Sequence, residues 1–157
     1  MYKLHYHERR DALHLEDFAD RVIYWIKYFW PETNDVLDIG AGKGYFVRKA
    51  REAGLNAYGV DLRNFNAPRV IIADARALPF QDNSFDFVNE CYFFDDIAGL
   101  QEQLLSEVEK AVLEVRRVLR PRGILVATPG HLGIPNASKY FKMALIRDKE
   151  YEGVYEK

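Results

Sequence analysis

An apolar run that ends in three closely spaced glycines constrains the fold of this chain more than any other feature. Residues 36–39 read VLDI and predict a buried strand. The glycines that follow occupy alternate positions: Gly40, Gly42 and Gly44. A helical pattern over 45–53 comes directly after them. Glycine allows the positive φ angles of a sharp turn and leaves the backbone open to a ligand. The sequence therefore predicts a strand–turn–helix unit within an α/β domain.

The spacing of these glycines distinguishes the turn from two common phosphate-binding loops. A dinucleotide fingerprint reads G-x-G-x-x-G, whereas residues 38–44 follow the pattern D-x-G-x-G-x-G. A Walker loop is excluded because Tyr45, and not a Lys-Ser/Thr pair, follows the last glycine. The turn therefore suits a ligand with a nucleoside and a zwitterionic tail better than a ligand with a phosphate.

Length and charge limit the class of protein. At 157 residues we predict one domain over 1–157, with an irregular arm at 1–13 and a short C-terminal extension at 131–157. The formal net charge of −2, without a long block of like charge, does not indicate nucleic acid or an anionic membrane as a partner. The sequence contains no run of about 18 apolar residues, so we predict no membrane span. A single cysteine, Cys91, favours a reducing cytoplasm.

Strands and helices alternate along the chain. This order predicts a doubly wound α/β fold, with a mostly parallel, Rossmann-like sheet of five to seven strands and helices on both faces. The predicted helices cover 15–29, 44–53 and 100–119, and the predicted strands 35–39, 56–61, 69–73, 85–91 and 124–128. The β-branched run at 69–73 is expected to be buried, and 62–68 is too short for a full crossover helix. The shortened C-terminal part has room for a helix over 136–146 with a final edge strand near 151–155, or for two short strands.

Two acidic residues follow predicted strands. Asp61 ends the second strand about twenty residues after the glycine turn, where a carboxylate can accept two hydrogen bonds from a ribose diol. Taken alone, an acid at a strand end is as often a helix cap or a turn residue. Asp74 follows the third strand in the same way.

Several stretches resemble one enzyme family. Residues 38–44 resemble motif I of the class I S-adenosylmethionine-dependent methyltransferases. Residues 75–87, ARALPFQDNSFDF, are similar to the L-P-F-x-D-x-S-F-D stretch of one large subfamily, methyltransferase type 11. Residues 116–129, RRVLRPRGILVATP, resemble the family pattern around its fifth strand, with Arg122 replacing the first glycine of L-x-P-G-G. The resemblance covers roughly 34–130 and implies S-adenosylmethionine as cofactor and methyl transfer as reaction.

The resemblance also implies roles for individual residues. The glycine loop would surround the methionine part of the cofactor and Asp61 would hold the ribose. Asp74 would bind the adenine amino group, and the backbone N–H of Ala75 a ring nitrogen. The full predicted cofactor-binding set is Asp38, Gly40, Ala41, Gly42, Gly44, Asp61, Leu62, Asp74, Ala75, Asn89 and Glu90.

The carboxyl end of the fourth strand is where the transferred methyl should meet its acceptor. The catalytic candidates are Glu90 as a base, Tyr92 as a wall of the pocket, and His131 after the fifth strand. For His131 a surface-loop histidine is the alternative. The Asp/Asn-Pro-Pro-Tyr/Phe motif of the DNA N-methyltransferases is absent at this point, which counts against their mechanism of base methylation. We assign no metal ligands.

Three alternatives stay open. Glycine spacing disfavours a nicotinamide-dependent oxidoreductase. The short chain fits a non-catalytic, cofactor-binding partner subunit, and an aminopropyl transferase lacks the paired acids expected for a polyamine. The methyl acceptor is unidentified, and three arrangements fit the sequence. A small molecule, which is somewhat favoured, would lie under the N-terminal arm. Otherwise a large substrate would dock on an open face, or a second subunit, as in a homodimer, would close the site at an interface.

Overall fold

A computed structural model describes residues 12–91, 105–127, 139, 141–143 and 153–157. The helices in this part are α1 (Ala12–Phe29), α2 (Tyr45–Glu52) and α3 (Leu105–Val118). The strands are β1 (Asp35–Ile39), β2 (Asn56–Asp61), β3 (Val70–Ile72), β4 (Phe85–Glu90), β5 (Leu119–Ala127), β6 (Lys142–Met143) and β7 (Gly153–Glu156). None of the described helices is both long and apolar enough to span a membrane.

The described strands form one sheet in the order β3-β2-β1-β4-β5-β7-β6. Strands β1 to β5 run parallel to one another, whereas β7 is antiparallel to both β5 and β6. The chain builds outward from β1 through β2 to β3, and then returns to place β4 on the other side of β1. This switch point is where open α/β sheets bind their ligands. The predicted doubly wound, mostly parallel sheet is confirmed.

The sheet separates two apolar cores. On one face α1 and α2 pack through residues such as Ile26 and Val47, which are almost fully buried. On the other face α3 packs through Val112 and Val115 against Leu125 of β5. Helices therefore lie on both faces of the sheet, as the alternation of elements predicts, and their apolar stripes pack against it.

The third strand differs from its prediction as a buried strand. Ile71 is 38% exposed and Ile72 is 60% exposed. The cause is position: β3 lies at the edge of the sheet. Residues 62–69 form no helix, as their shortness predicts, so no crossover helix covers this strand. A β-branched run identifies a strand but does not specify its place in the sheet.

The described C-terminal part has two short strands, which is the second of its two predictions, and differs from the first. β5 begins at Leu119 and not at the predicted residue 124, so residues 121–123 lie within the strand, beside a register shift in its pairing with β4. β7 lies between β5 and β6 and is not the edge strand. Because Lys142 and Met143 form β6, a continuous helix over 136–146 is wrong. Short strands of this kind depend on their sheet partners more than on local pattern.

Candidate functional site

The glycine turn adopts backbone angles that side chains disfavour. Gly40, Gly42 and Gly44 have φ values of 71°, 52° and 72°. The backbone N–H groups of Gly40 and Ala41 both donate to the carbonyl of Val60, each at 3.0 Å. The turn is thus tied to the end of β2 before α2 begins. Because the left-handed region costs other residues about 1–2 kcal/mol, the alternate glycines are a conformational requirement here.

One face of the turn is open and another is closed. A Cβ placed on Gly42 would meet no atom within 4 Å, whereas one on Gly44 would lie 3.2 Å from Val70. Sequence reasoning missed Gly59, where a Cβ would lie 2.6 Å from that of Ala41. The signal was a glycine inside a predicted strand, which indicates close approach of another backbone. Gly44 and Gly59 therefore allow packing, while Gly42 presents bare backbone to the open side.

Asp61 closes one end of the turn. Its Oδ2 accepts the backbone N–H of Gly42 at 2.9 Å, and its Oδ1 accepts the N–H of Arg63 at 2.9 Å. An ionised carboxylate has about four acceptor positions, so capacity for further donors remains on both oxygens. Leu62 follows at the carboxyl end of β2 and is more than half exposed. The predicted pair thus lies at the same sheet edge as the glycines.

Asp38 and Asn89 form a buried polar pair at the switch point. They face each other in the register of β1 and β4, and Asn89 Nδ2 donates to Asp38 Oδ1 at 2.7 Å. Asp38 is 4% exposed and Asn89 is fully buried. Burial raises the pKa of Asp38 to about 7, although the Asn89 hydrogen bond lowers it; the charge of Asp61 raises it further.

The second oxygen of this pair lacks a partner. Asn89 Oδ1 is buried and accepts no hydrogen bond in the part of the chain that the structure describes. Buried acceptors are nearly always satisfied, because an unpaired one forfeits its hydration. An orphan acceptor beside a carboxylate is a fitting receptor for a group that is both cationic and a hydrogen-bond donor. An ammonium group meets both conditions.

One of the three catalytic candidates, Glu90, lies within the described residues. Glu90 ends β4 beside Ile39 and Ala127 and is 1% exposed. It lies next to Asn89, at the predicted carboxyl edge, and is buried within the sheet. Tyr92 and His131 lie outside the residues that the structure describes.

Asp74 has a partner that sequence reasoning missed. The backbone N–H of Arg76 donates to Asp74 Oδ1 at 2.9 Å, and its guanidinium reaches both oxygens through Nε and Nη2. These bonds from Arg76 hold the pKa of Asp74 below its ordinary value. The same guanidinium donates to Glu107 on α3. Asp74 is therefore an ionised acceptor fixed in place, and the adjacent Ala75 is buried.

These observations define the class of domain. Parallel strands bring Asp38, Asn89, Asp61 and the glycine turn to one carboxyl edge at the switch point, with Asp74 beyond the next strand. Such an edge in a Rossmann-like sheet binds a nucleoside-containing cofactor. The chain belongs to the methyltransferase domain family, which its residues 37–127 match. It therefore has the domain of a class I, S-adenosylmethionine-dependent methyltransferase.

Individual relatives agree with this family. A malonyl-[acyl-carrier protein] O-methyltransferase of Halorhodospira halophila is 31% identical over an alignment of 142 residues, and the match covers 78% of this chain and 45% of the relative. A demethylmenaquinone methyltransferase of Renibacterium salmoninarum is 36% identical over 100 residues, covering 58% and 39% of the two chains. The chain thus spans less than half the length of these curated relatives.

A solved structure shares the fold. It is SAM-bound CalS10, an amino pentose methyltransferase from Micromonospora echinaspora. The TM-score is 0.61 at 22% identity, and the match covers 85% of this chain and 58% of that one. At this identity the similarity concerns the fold alone, and it agrees with the strand order described above.

Proposed function

We propose that this protein transfers a methyl group from S-adenosylmethionine to an acceptor, with the cofactor held by the carboxyl edge described above. The observation that carries the proposal is the buried Asp38–Asn89 pair with its orphan acceptor, at the same carboxyl edge of the sheet as the open backbone of Gly42. When bound, S-adenosylmethionine supplies a methyl group already activated on a sulfonium. The acceptor atom would attack the methyl carbon in line while the carbon–sulfur bond breaks and S-adenosylhomocysteine leaves, and the proton of a neutral acceptor would pass to solvent or to a base.

Asp38 and Asn89 bind the amino acid end of the cofactor in this proposal. The ammonium group donates to Asn89 Oδ1, which otherwise stays unpaired. A cation in this position also favours the ionised form of Asp38 and offsets the effect of burial. Gly42, without a Cβ, lets the tail lie against the turn.

The nucleoside is bound by two further carboxylates. Asp61 accepts the ribose hydroxyls with the acceptor positions that Gly42 and Arg63 leave free. Asp74 accepts the adenine amino group, and its lowered pKa keeps it in the accepting form. Leu62 and Ala75 contribute apolar contact and a backbone N–H to the same pocket.

The chain contributes chiefly by holding two reactants in line and excluding water. Positioning of this kind is worth roughly 7–11 kcal/mol of barrier. A general base is optional for such a reaction. Glu90, at the end of β4, is our candidate where one is needed, with Tyr92 and His131 as further candidates.

The finer assignments are part of the same proposal. Membership of the subfamily with the L-P-F-x-D-x-S-F-D stretch is part of the proposal, and the sequence LPFQDNSFD at residues 78–86 supports it. We further propose a small-molecule acceptor and a cytoplasmic location, with a homodimer as one arrangement that would close the site. The acceptors named for the curated relatives are not carried over, because the chain spans less than half of those proteins.

Calorimetry tests the cofactor site. We expect wild-type protein to bind S-adenosylmethionine and S-adenosylhomocysteine but not NAD, and Asp61→Ala to weaken both by roughly tenfold or more. The control is Asp20→Ala, which removes an exposed α1 carboxylate paired with Lys49. Unchanged affinity in Asp61→Ala refutes the ribose assignment. Binding of NAD alone indicates an oxidoreductase, and binding with methylation only beside a second protein indicates a partner subunit.

A further inference from the structure

The connection between β3 and β4 has an unusual source of order. Residues 73–84 contain turns but no helix or strand. Backbone groups of such a segment must find partners elsewhere. Here they come from α3: Leu78 N–H donates to Glu114 Oε2 at 2.7 Å, and Leu78 carbonyl accepts from Arg117 Nη2 at 3.0 Å. Both α3 side chains thus bind the backbone of Leu78.

Arg117 uses its whole guanidinium in this contact. Nε and Nη2 donate to the two oxygens of Glu114 at 2.7 and 2.8 Å. Nη1 donates to the carbonyl of Phe80 at 2.8 Å and to Asp82 at 2.9 Å. With the bond to Leu78, these interactions employ all five donors of the guanidinium. A lysine, with three donors on one nitrogen, cannot reproduce this planar fork.

The helix backbone completes the attachment. The N–H groups of Asn83 and Ser84 donate to the carbonyls of Arg117 and Val118, at 3.0 and 2.7 Å. These carbonyls belong to the last turn of α3 and lack N–H donors within the helix. The connection is therefore fixed to α3 from residue 78 to residue 84.

We infer that Glu114 and Arg117 are positioning residues for the adenine end of the cofactor. They hold the connection so that Asp74 and Ala75, four and three residues before Leu78, meet the purine at a fixed depth. This inference rests on the proposed function, because it takes residues 74–75 to be the adenine site. Neither Glu114 nor Arg117 touches the cofactor in this account.

A second contact fixes the near end of the same segment. Arg76 joins Asp74 to Glu107 on α3, about two helical turns before Glu114. The segment between the two contacts carries Leu78, which is 5% exposed and packs in the core with α3. An ordered segment binds a ligand without a further entropic cost of ordering. Loosening it at Arg117 should therefore lower affinity for the base that it contacts.

The test compares two ligands that differ only at the purine. S-adenosylhomocysteine carries the amino group, and S-inosylhomocysteine carries a carbonyl in its place. The variant is Arg117→Lys and the matched control is Arg120→Lys. Arg120 also pairs with two carboxylates, Asp35 and Asp86, but at the opposite, amino ends of β1 and β4. The readouts are calorimetric affinity and thermal unfolding.

We expect Arg117→Lys to bind S-adenosylhomocysteine roughly tenfold more weakly. Its affinity for S-inosylhomocysteine should change little, so the preference for adenine falls. Arg120→Lys should keep the wild-type preference even where its unfolding temperature drops equally. A wild-type preference in Arg117→Lys overturns the inference, including when both affinities fall by one factor, because a purely structural role predicts that result.

A second variant and the behaviour of the wild type complete the test. If Arg117→Lys does not fold, Glu114→Gln replaces it, since glutamine retains one acceptor oxygen for Leu78 but loses the paired fork. The same loss of adenine preference is expected, and an unchanged preference again overturns the inference. Wild-type protein that binds neither ligand overturns the proposed function itself, which is a separate failure at an earlier step.

Discussion

Gly42 and Gly54 make the same conformational demand at two different places. Their φ values are 52° and 88°, and a Cβ on either glycine would meet no atom within 4 Å. Only Gly42 lies in the turn between β1 and α2, where its N–H donates to Asp61. Gly54 ends the segment after α2. The two positions therefore separate backbone strain from loss of ligand space.

Alanine at these two positions gives the first prediction at the residue scale. Each substitution should lower the free energy of unfolding by about 1–2 kcal/mol, because both place a side chain in the left-handed region. Gly42→Ala should also weaken S-adenosylhomocysteine binding by roughly tenfold, since its methyl group projects into the open face of the turn. Chemical denaturation and calorimetry measure the two effects. Equal ligand affinity in Gly42→Ala and Gly54→Ala would contradict the assignment of that face.

At the scale of elements, β3 is the strand whose environment departs most from its composition. Ile72 pairs in register with Asp61, yet it is 60% exposed at the sheet edge. One strand inward, Val60 pairs with Ile71 and is 1% exposed. Two β-branched residues on neighbouring strands thus have opposite surroundings, and their substitution costs should differ accordingly.

Threonine substitution at these two positions measures the difference. Ile72→Thr should change the free energy of unfolding by about 0.5 kcal/mol or less, as surface substitutions do. Val60→Thr buries a hydroxyl group in the core and should cost about 1–3 kcal/mol. Urea denaturation of both variants is the measurement. A large cost for Ile72→Thr would mean that another surface covers β3 in solution.

Sequence pattern predicts the interior strands well. β1 and β2 have their predicted bounds, and β4 ends one residue early, because a continuous apolar run beside a glycine turn has few other solutions. Sequence pattern fails where the position or exposure of a strand depends on neighbouring elements of the fold. The exposure of β3 depends on an absent crossover helix, and the place of β7 depends on β5. The glycine turn and Asp61 follow from spacing, but the contacts of Arg76 and Arg117 join segments about 31 to 39 residues apart and leave no local signal.

For the whole molecule, the carboxyl groups fall into two sets with opposite pH dependence. Asp38 binds a proton more tightly when folded, because burial raises its pKa to about 7. Asp86 has the reverse shift: burial opposes it, but backbone N–H groups of Asp35 and Asn34 and the guanidinium of Arg120 lower its pKa. Asp74, bonded to Arg76, also has a lowered pKa. The first set loses stability as pH rises and the second as pH falls, so stability should be greatest in mildly acidic solution.

Asp38→Asn isolates the first of these sets. Between pH 4 and pH 7 the folded wild type retains a proton that the unfolded chain releases, so Asp38 should add about 1.4 kcal/mol of stability per unit that the pH falls in this range. Asparagine does not titrate but can accept the same hydrogen bond from Asn89. The free energy of unfolding of the variant minus that of wild type should therefore decrease steadily from pH 7 to pH 4 and stay level above pH 8. Denaturation at closely spaced pH values measures it, and the acid-labile carboxylates cancel because both proteins share them. A difference that does not vary with pH would mean that Asp38 stays ionised in the folded protein. The bound ammonium group would then not be required to keep Asp38 ionised.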